Sequence, residues 1–174
     1  MFKTILVPTD GSDHANKAAR IAGDLAAKYG ADLILLHVLL RDHLDEGLKQ
    51  FAEVEGMVEG RALSDAVASI PMARFPVSMV PTNGDQTKER VLSTVAELVL
   101  RTAKDTAQEQ GASKPRTLIE DGDPAQRILQ KAASEGADLI VMGSRGFSDL
   151  KGLIVGSVSH KVSHLAPCPV LSVR

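Results

Sequence analysis

Two segments of the chain, 28–36 and 134–142, share the sequence Gly-Ala-Asp-Leu-Ile and the same pattern of apolar positions. Apolar residues recur at helical spacing before each glycine: Ala15, Ala18, Ala19, Ala22, Leu25, Ala26 and Tyr29 in the first copy, and Ile128, Leu129, Ala132 and Ala133 in the second. Gly30 and Gly136 can take the left-handed conformation that ends a helix, and the apolar run after each lacks alternation. Each copy therefore predicts an amphipathic helix followed by a strand that is buried on both faces.

Three further apolar segments, at 2–9, 117–120 and 169–173, have the length of strands. Ser12 or Asp13 can cap the first helix, and Asp123-Pro124 supplies a cap and a first-turn proline for the later one. The element order is β-α-β, a long connection, and then β-α-β-α-β. This order predicts an α/β fold in which right-handed crossovers join five parallel strands.

The connection between Leu40 and Arg116 is much longer than the dozen or so residues that one crossover needs. It predicts an insertion at about 43–84 within a single domain over 1–174. The insertion begins with a weak helical stripe, which consists of Leu44, Leu48, Phe51, Val54 and Val58, and continues with Pro71, Pro76 and Pro81. A second helix follows and ends near Gly111; its apolar face consists of Val91, Leu92, Val95, Leu98, Val99 and Ala103. The insertion is either a lid or partner surface, or a tolerated elaboration.

Composition removes several classes of function. Among 174 residues, 20 Lys and Arg stand against 22 Asp and Glu, for a net charge of −2, so no basic field favours nucleic acid. Tryptophan is absent, and the longest apolar runs, such as 32–40, are too short to span a bilayer. The first residues lack the features of a secretory signal, and Cys168 is the only cysteine. We expect a cytoplasmic protein without a membrane span.

The stretch 142–159 is rich in glycine and runs from the end of a predicted strand into a helix at Gly156-Ser157. In a parallel sheet this is the carboxyl edge, where ligands bind. Glycines allow a close approach of the backbone to an anion, and the N–H groups at a helix start favour phosphate. A phosphate-binding loop and simple turn chemistry both fit this pattern. The spacing matches neither the dinucleotide fingerprint nor the Walker loop.

The spacing Gly143-x-x-Gly146, nine residues, and then Gly156-Ser157 resembles the signature of the nucleotide-binding branch of the universal stress protein family. Three other segments add to the resemblance, in the family's order: 7–12, 122–125 and 166–171. Only residues at about 43–84 fall outside it. The resemblance implies a three-layer α/β/α fold, Rossmann-like and similar to adenine-nucleotide alpha-hydrolases.

The resemblance also implies a set of binding residues for an adenine nucleotide. Asp10 is similar to the family's acidic ligand of ribose and adenine, and the backbone at Val38 to the position that contacts adenine. The full set is Pro8, Thr9, Asp10, Val38, Met142, Gly143, Ser144, Arg145, Gly146, Gly156, Ser157, Val158 and Ser159. From residue type alone, Asp10 is equally interpreted as a helix cap, and Ser157 can serve as an N-cap and as a ligand at the same time. A bulky side chain at Gly143 or Gly156 is expected to prevent binding and leave the fold intact.

No catalytic residue and no metal site is predicted. His160 and His164 share a helix face but lack a third ligand, and Cys168 is expected to be a small buried hydrophobic residue. The family resemblance implies a stress-response regulator that binds ATP, with AMP or ADP as alternatives and Mg or Mn on the phosphates. It further implies a homodimer formed through about Pro169 to Val173. The alternatives are a slow nucleotide alpha-hydrolase-type enzyme and a ligand-free interaction module whose unknown partner binds the insertion.

Overall fold

A computed structural model describes residues 1–39, 85–146 and 156–174. The described elements follow the predicted order: β1 (Thr4–Pro8), α1 (Asp13–Tyr29), β2 (Asp32–Leu39), α2 (Asp85–Glu109), β3 (Arg116–Asp121), α3 (Pro124–Ser134), β4 (Leu139–Gly143), α4 (Ser157–Leu165) and β5 (Val170–Val173). The insertion predicted at 43–84 lies outside these residues, as does the middle of the glycine-rich stretch, 147–155.

The five strands form one parallel sheet in the order β3-β2-β1-β4-β5. The predicted parallel α/β architecture is confirmed. β1 lies at the centre, with Ile5 opposite Leu33 of β2 on one side and Leu139 of β4 on the other. The chain therefore winds outward in one direction from β1 to β3 and in the other from β4 to β5. The gap between the loops after β1 and β4 is the topological switch point, where open α/β sheets bind ligands.

Side chains that alternate along the central strands build a core on each face of the sheet. On one face, Ile5, Val7, Leu33, Leu35, Leu139 and Val141 pack against small residues of α1 and α2, including Ala18, Ala22, Ala103 and Ala107. On the other face, Leu6, Ile34, Leu36, Ile140 and Met142 pack against Ile128 and Ala132 of α3 and Val162 of α4. Helices cover both faces, as in the predicted three layers.

The predicted helix ends are formed by local backbone chemistry. Ser12, not Asp13, caps α1, because its hydroxyl accepts from the N–H of Ala15. Gly30 ends α1 in the left-handed conformation at φ +63°, where a glycine carries no steric cost. Asp123 caps α3 by accepting from the Gln126 N–H at 2.8 Å.

The buried face of α2 differs from the predicted one. Leu92, Val99 and Ala103 are buried as expected, but Val95 and Leu98 are only half-buried, and the side chain of Val91 is outside the described set. The rest of the buried face consists of residues that the prediction omitted: Ala96, Leu100 and Ala107. The physical reason is close helix packing. A Cβ on Gly23 of α1 would lie 2.6 Å from the Ala107 carbonyl oxygen, so the two helices leave room only for small residues at this point of contact.

Candidate functional site

A cleft opens at the switch point between the loops that follow β1 and β4. Its walls come from the β1–α1 loop, the end of β2, the first turns of α3 and α4, and the described ends of the β4–α4 loop. The lining residues are Pro8, Thr9, Asp10, Ala15, Leu36, Val38, Pro124, Ile128, Met142, Gly143, Arg145, Gly146, Gly156, Ser157, Val158 and Ser159. Every residue of the predicted set except Ser144 is among them.

Ser144 lies behind the cleft wall and holds the backbone together there. Its N–H donates to the Val173 carbonyl at 2.7 Å, which ties the end of β4 to the end of β5. Its carbonyl accepts from the Gly156 N–H at 2.8 Å and from the Ser159 hydroxyl at 2.8 Å. The Ser144 hydroxyl is buried with no hydrogen-bond partner found for it among the described residues. The structure therefore gives Ser144 a supporting position instead of a place on the cleft surface.

The β1–α1 loop is folded by its own polar side chains. The Thr9 hydroxyl accepts from the Gly11 N–H at 3.3 Å, and Asp10 Oδ1 accepts from the Ser12 N–H at 3.0 Å. The second bond is an Asx turn, which explains why an aspartate follows the strand. Ser12 caps the helix, so the interpretation of Asp10 as the helix cap is wrong. The Asx turn holds the Asp10 carboxylate at the cleft wall.

The two loops that form the cleft contact one another. The Ser12 hydroxyl lies 3.4 Å from the Arg145 carbonyl oxygen, to which it can donate while it accepts from Ala15. A Cβ on Gly146 would overlap Asp10 Oδ2, so only glycine fits beside that carboxylate as it stands. The glycine-rich loop and the acidic side chain are thus set against each other.

Gly143 is required by packing of the chain itself. A Cβ there would lie 2.9 Å from the backbone nitrogen of Ala15 and 2.9 Å from the carbonyl carbon of His14. These are backbone atoms of the first turn of α1, which cannot rotate away. The expectation that a bulky Gly143 variant leaves the fold intact is therefore wrong, because the side chain would displace α1 from the sheet.

The start of α4 faces the cleft with its backbone. Gly156 is the N-cap, with φ −69° and ψ 153° and no side-chain cap, and Ser157 is the first helical residue. The interpretation of Ser157 as the N-cap is wrong. Ser159 is buried, and its hydroxyl lies within hydrogen-bond distance of the Ser144 and Gly156 carbonyls. The N–H groups of the first turn lack intrahelical partners by geometry, which makes this end of α4 suited to an anion.

Sequence reasoning missed four lining residues: Ala15, Leu36, Pro124 and Ile128. Leu36 pairs with Pro8 in the sheet register, and this pairing places it at the carboxyl edge. Pro124 and Ile128 belong to the first turns of α3, which covers that edge. The signal for Leu36 and Ile128 was present, since both lie in predicted elements, but the strand order was needed to bring them to the cleft. Leu36 and Ile128 add an apolar wall to the cleft.

Several titratable groups lie outside the cleft. Within 1–39, 85–146 and 156–174, no group of three or more His, Cys, Asp or Glu side chains could hold a metal ion. The rings of His160 and His164 contact each other edge to face, with their centroids 4.7 Å apart. Burial, with a smaller contribution from the charge of Asp138, raises the pKa of the half-buried Cys168 thiol. Helices in this part of the chain are too short or too polar to cross a membrane.

Comparison with known proteins gives the same architecture. A model of the universal stress protein family matches residues 1–174. The universal stress protein YxiE of Bacillus subtilis (strain 168) is 37% identical over 174 residues, and the match covers 100% of both chains.

Two solved structures share the fold. A universal stress protein in complex with cAMP superposes with a TM-score of 0.62 at 24% identity, covering 99% of this chain and 97% of that one. The universal stress protein from Archaeoglobus fulgidus in complex with dAMP gives a TM-score of 0.59 at 18% identity, covering 100% of this chain and 98% of that one. Because the family model spans 1–174 and a named relative aligns over its full length, the chain belongs to the universal stress protein family.

Proposed function

We propose that this protein is a stress-response regulator that binds an adenine nucleotide in the cleft, with ATP as the first candidate and ADP or AMP as alternatives. One observation carries the proposal: Asp10 and the N-terminus of α4 line the same cleft. A carboxylate accepts hydrogen bonds from sugar hydroxyls and repels phosphate, whereas exposed N–H groups at a helix start attract phosphate. The cleft thus offers opposite electrostatic environments to the two ends of a nucleotide.

The phosphates would lie along the described ends of the glycine-rich loop. The first turn of α4 provides the backbone N–H groups of Ser157 and Val158 and the Ser157 hydroxyl there, whereas the Gly156 N–H is already bonded to the Ser144 carbonyl. Arg145 is exposed at the rim and lines the same cleft, so its guanidinium can neutralise phosphate charge. This arrangement favours the binding interpretation of the signature glycines over a simple turn.

The adenine would occupy the apolar side of the cleft. Leu36 in β2 and Met142 near the end of β4 are buried, and Val38 and Ile128 complete the wall. A purine gains affinity from such a surface by removal of apolar area from water, at about 25 cal/mol per Å². Backbone groups at Val38 can then provide direction by hydrogen bonding to the base.

The solved relatives support an adenine nucleotide as the ligand class, because one is a complex with cAMP and another a complex with dAMP. Both ligands combine adenine, a sugar and a phosphate. We extend this to ATP because Arg145 and the first turn of α4 offer more anion-binding groups than a single phosphate needs.

We propose little or no hydrolysis. None of the lining residues is a histidine, and Asp10 is engaged by the Ser12 N–H, so no general base is assigned. Mg²⁺ or Mn²⁺ would be held chiefly by the phosphates and water, because Mg²⁺ keeps several waters and the described residues offer no cluster of ligands. The cytoplasmic location that the sequence predicts stays a prediction.

The proposed regulator acts as a homodimer through β5. This strand is an edge of the sheet and pairs with β4 on its other side, and Leu171 on it is 39% exposed. Edge strands offer unpaired backbone groups, which a second copy can cover. Sedimentation of the wild type and of Leu171→Lys tests this: a dimer that the charge dissociates supports the arrangement, and a monomeric wild type refutes it.

Isothermal titration calorimetry with ATP and Mg²⁺ tests the site. Asp10→Asn retains an oxygen for the Asx turn and removes the charge, so we expect the fold to persist and affinity to fall by about 10- to 100-fold. Asp13→Asn is the matched control, since Asp13 is an exposed residue three positions away that does not line the cleft. Equal affinity of Asp10→Asn and wild type would refute the proposed site, and rapid release of ADP or AMP would favour an enzyme.

A further inference from the structure

His37 lies directly behind the wall of the cleft. Its neighbours in β2, Leu36 and Val38, both line the cleft, whereas His37 does not. Successive side chains of a strand point to opposite faces, so the half-buried imidazole lies on the α1 and α2 side of the sheet. A substitution at His37 therefore changes no atom that lines the cleft.

The imidazole is bonded to the loop that carries Asp10. His37 Nδ1 lies 2.8 Å from the Thr9 carbonyl oxygen. Because a carbonyl oxygen can only accept, Nδ1 carries the proton and donates. The Thr9 N–H in turn donates to the Leu36 carbonyl at 2.8 Å. The peptide groups before and after Thr9 are thus both fastened to β2.

The environment of the ring favours its neutral form. Burial lowers the pKa of His37, against smaller opposing effects from the Thr9 carbonyl and the charge of Asp10. With Nδ1 protonated toward Thr9, a neutral ring has no proton on Nε2. The hydrogen bond therefore defines one tautomer, which is a measurable property of the chain.

We propose that His37 is a positioning residue that orients Asp10 for the nucleotide by holding the Thr9–Asp10 peptide. The peptide group is planar, so fixing the Thr9 carbonyl also fixes the direction of the Asp10 N–H and the start of the Asx turn. Small displacements of the Asp10 carboxylate matter here, because Gly146 packs so closely that a Cβ on it would overlap Asp10 Oδ2. This inference rests on the proposed function, since Asp10 is the group assigned to the sugar.

The test compares two variants by calorimetry with ATP and Mg²⁺. His37→Leu retains bulk and removes the donor, and His37→Asn retains an amide N–H close to the position of Nδ1. We expect His37→Leu to weaken ATP binding by about tenfold, the size of one well-placed hydrogen bond, at unchanged stoichiometry. His37→Asn should return affinity to within about twofold of wild type. A merely structural histidine would affect stability in both variants without this rescue.

A second measurement on the wild type needs no variant. Nitrogen-15 NMR of the imidazole distinguishes the two neutral tautomers, and we expect the proton on Nδ1. A proton on Nε2 alone would overturn the inference, as would ATP binding by folded His37→Leu at wild-type affinity, or His37→Asn as weak as His37→Leu. If the wild type binds no adenine nucleotide, the proposed function has failed; if it binds and His37→Leu is unchanged, only the role of His37 has failed.

Discussion

Replacement of Gly143 by alanine provides a quantitative test of how closely α1 packs on the sheet. Glycine to alanine at a position with room usually stabilises a protein by about 0.4–1 kcal/mol, because the unfolded chain loses freedom. At Gly143 the added Cβ would meet two backbone atoms of α1, from His14 and Ala15, at 2.9 Å each. Overpacking of this kind costs about 1–3 kcal/mol. Gly143→Ala should therefore lower the free energy of unfolding instead of raising it.

Thermal unfolding followed by circular dichroism, together with chemical denaturation, measures this change. For a chain of this size, about 1–3 kcal/mol corresponds to a fall in Tm of roughly 2–12 °C. Gly136→Ala is the comparison: a Cβ there meets nothing within 4 Å, but φ is +62°. It should lose about 1–2 kcal/mol from backbone strain alone and leave ATP affinity unchanged. A Gly143→Ala protein as stable as wild type, or more stable, would refute the packing argument.

Three further predictions follow from single contacts. Gly23→Ala, whose Cβ would lie 2.6 Å from the Ala107 carbonyl oxygen, should lower the free energy of unfolding by about 1–3 kcal/mol in urea denaturation; a stabilised variant would contradict this. Ser12→Asp should retain the helix cap, whereas Ser12→Ala should lower the free energy of unfolding by about 1 kcal/mol. Both variants should weaken ATP binding in calorimetry, because neither side chain can donate to the Arg145 carbonyl oxygen; unchanged affinity would contradict the loop contact. Alkylation of Cys168 should reach half its maximal rate above pH 8.5, and a midpoint at or below that value would disagree with the raised pKa.

Much of the fold could be predicted because local chemistry and periodicity agree. Gly30 ends α1 at the position that the sequence pattern predicts, and Asp123 caps α3 as expected. The continuous apolar runs of β2 and β4 are buried between helices on both faces, as parallel strands require. The order of elements with right-handed crossovers was then enough to give the architecture.

The order of strands and the details of contact could not be predicted in the same way. Nothing local to β1 or β4 says that they are neighbours, so the apolar wall of the cleft at Leu36 and Ile128 was not expected. The close approach of Gly143 to α1 also depends on tertiary geometry, because its sequence pattern equally fits a phosphate contact. The role of His37 could not be predicted either, because its hydrogen bond to the Thr9 carbonyl depends on where the β1–α1 loop lies.

Whether the cleft binds an adenine nucleotide can be tested by denaturing the freshly purified protein and identifying any released nucleotide by chromatography and mass spectrometry. Calorimetric titration of ATP and Mg²⁺ is carried out on the same preparation. We expect either a released adenine nucleotide or saturable binding of added ATP with a loss of affinity in Asp10→Asn. Protein that releases no nucleotide and shows no measurable affinity for ATP, ADP or AMP would contradict it.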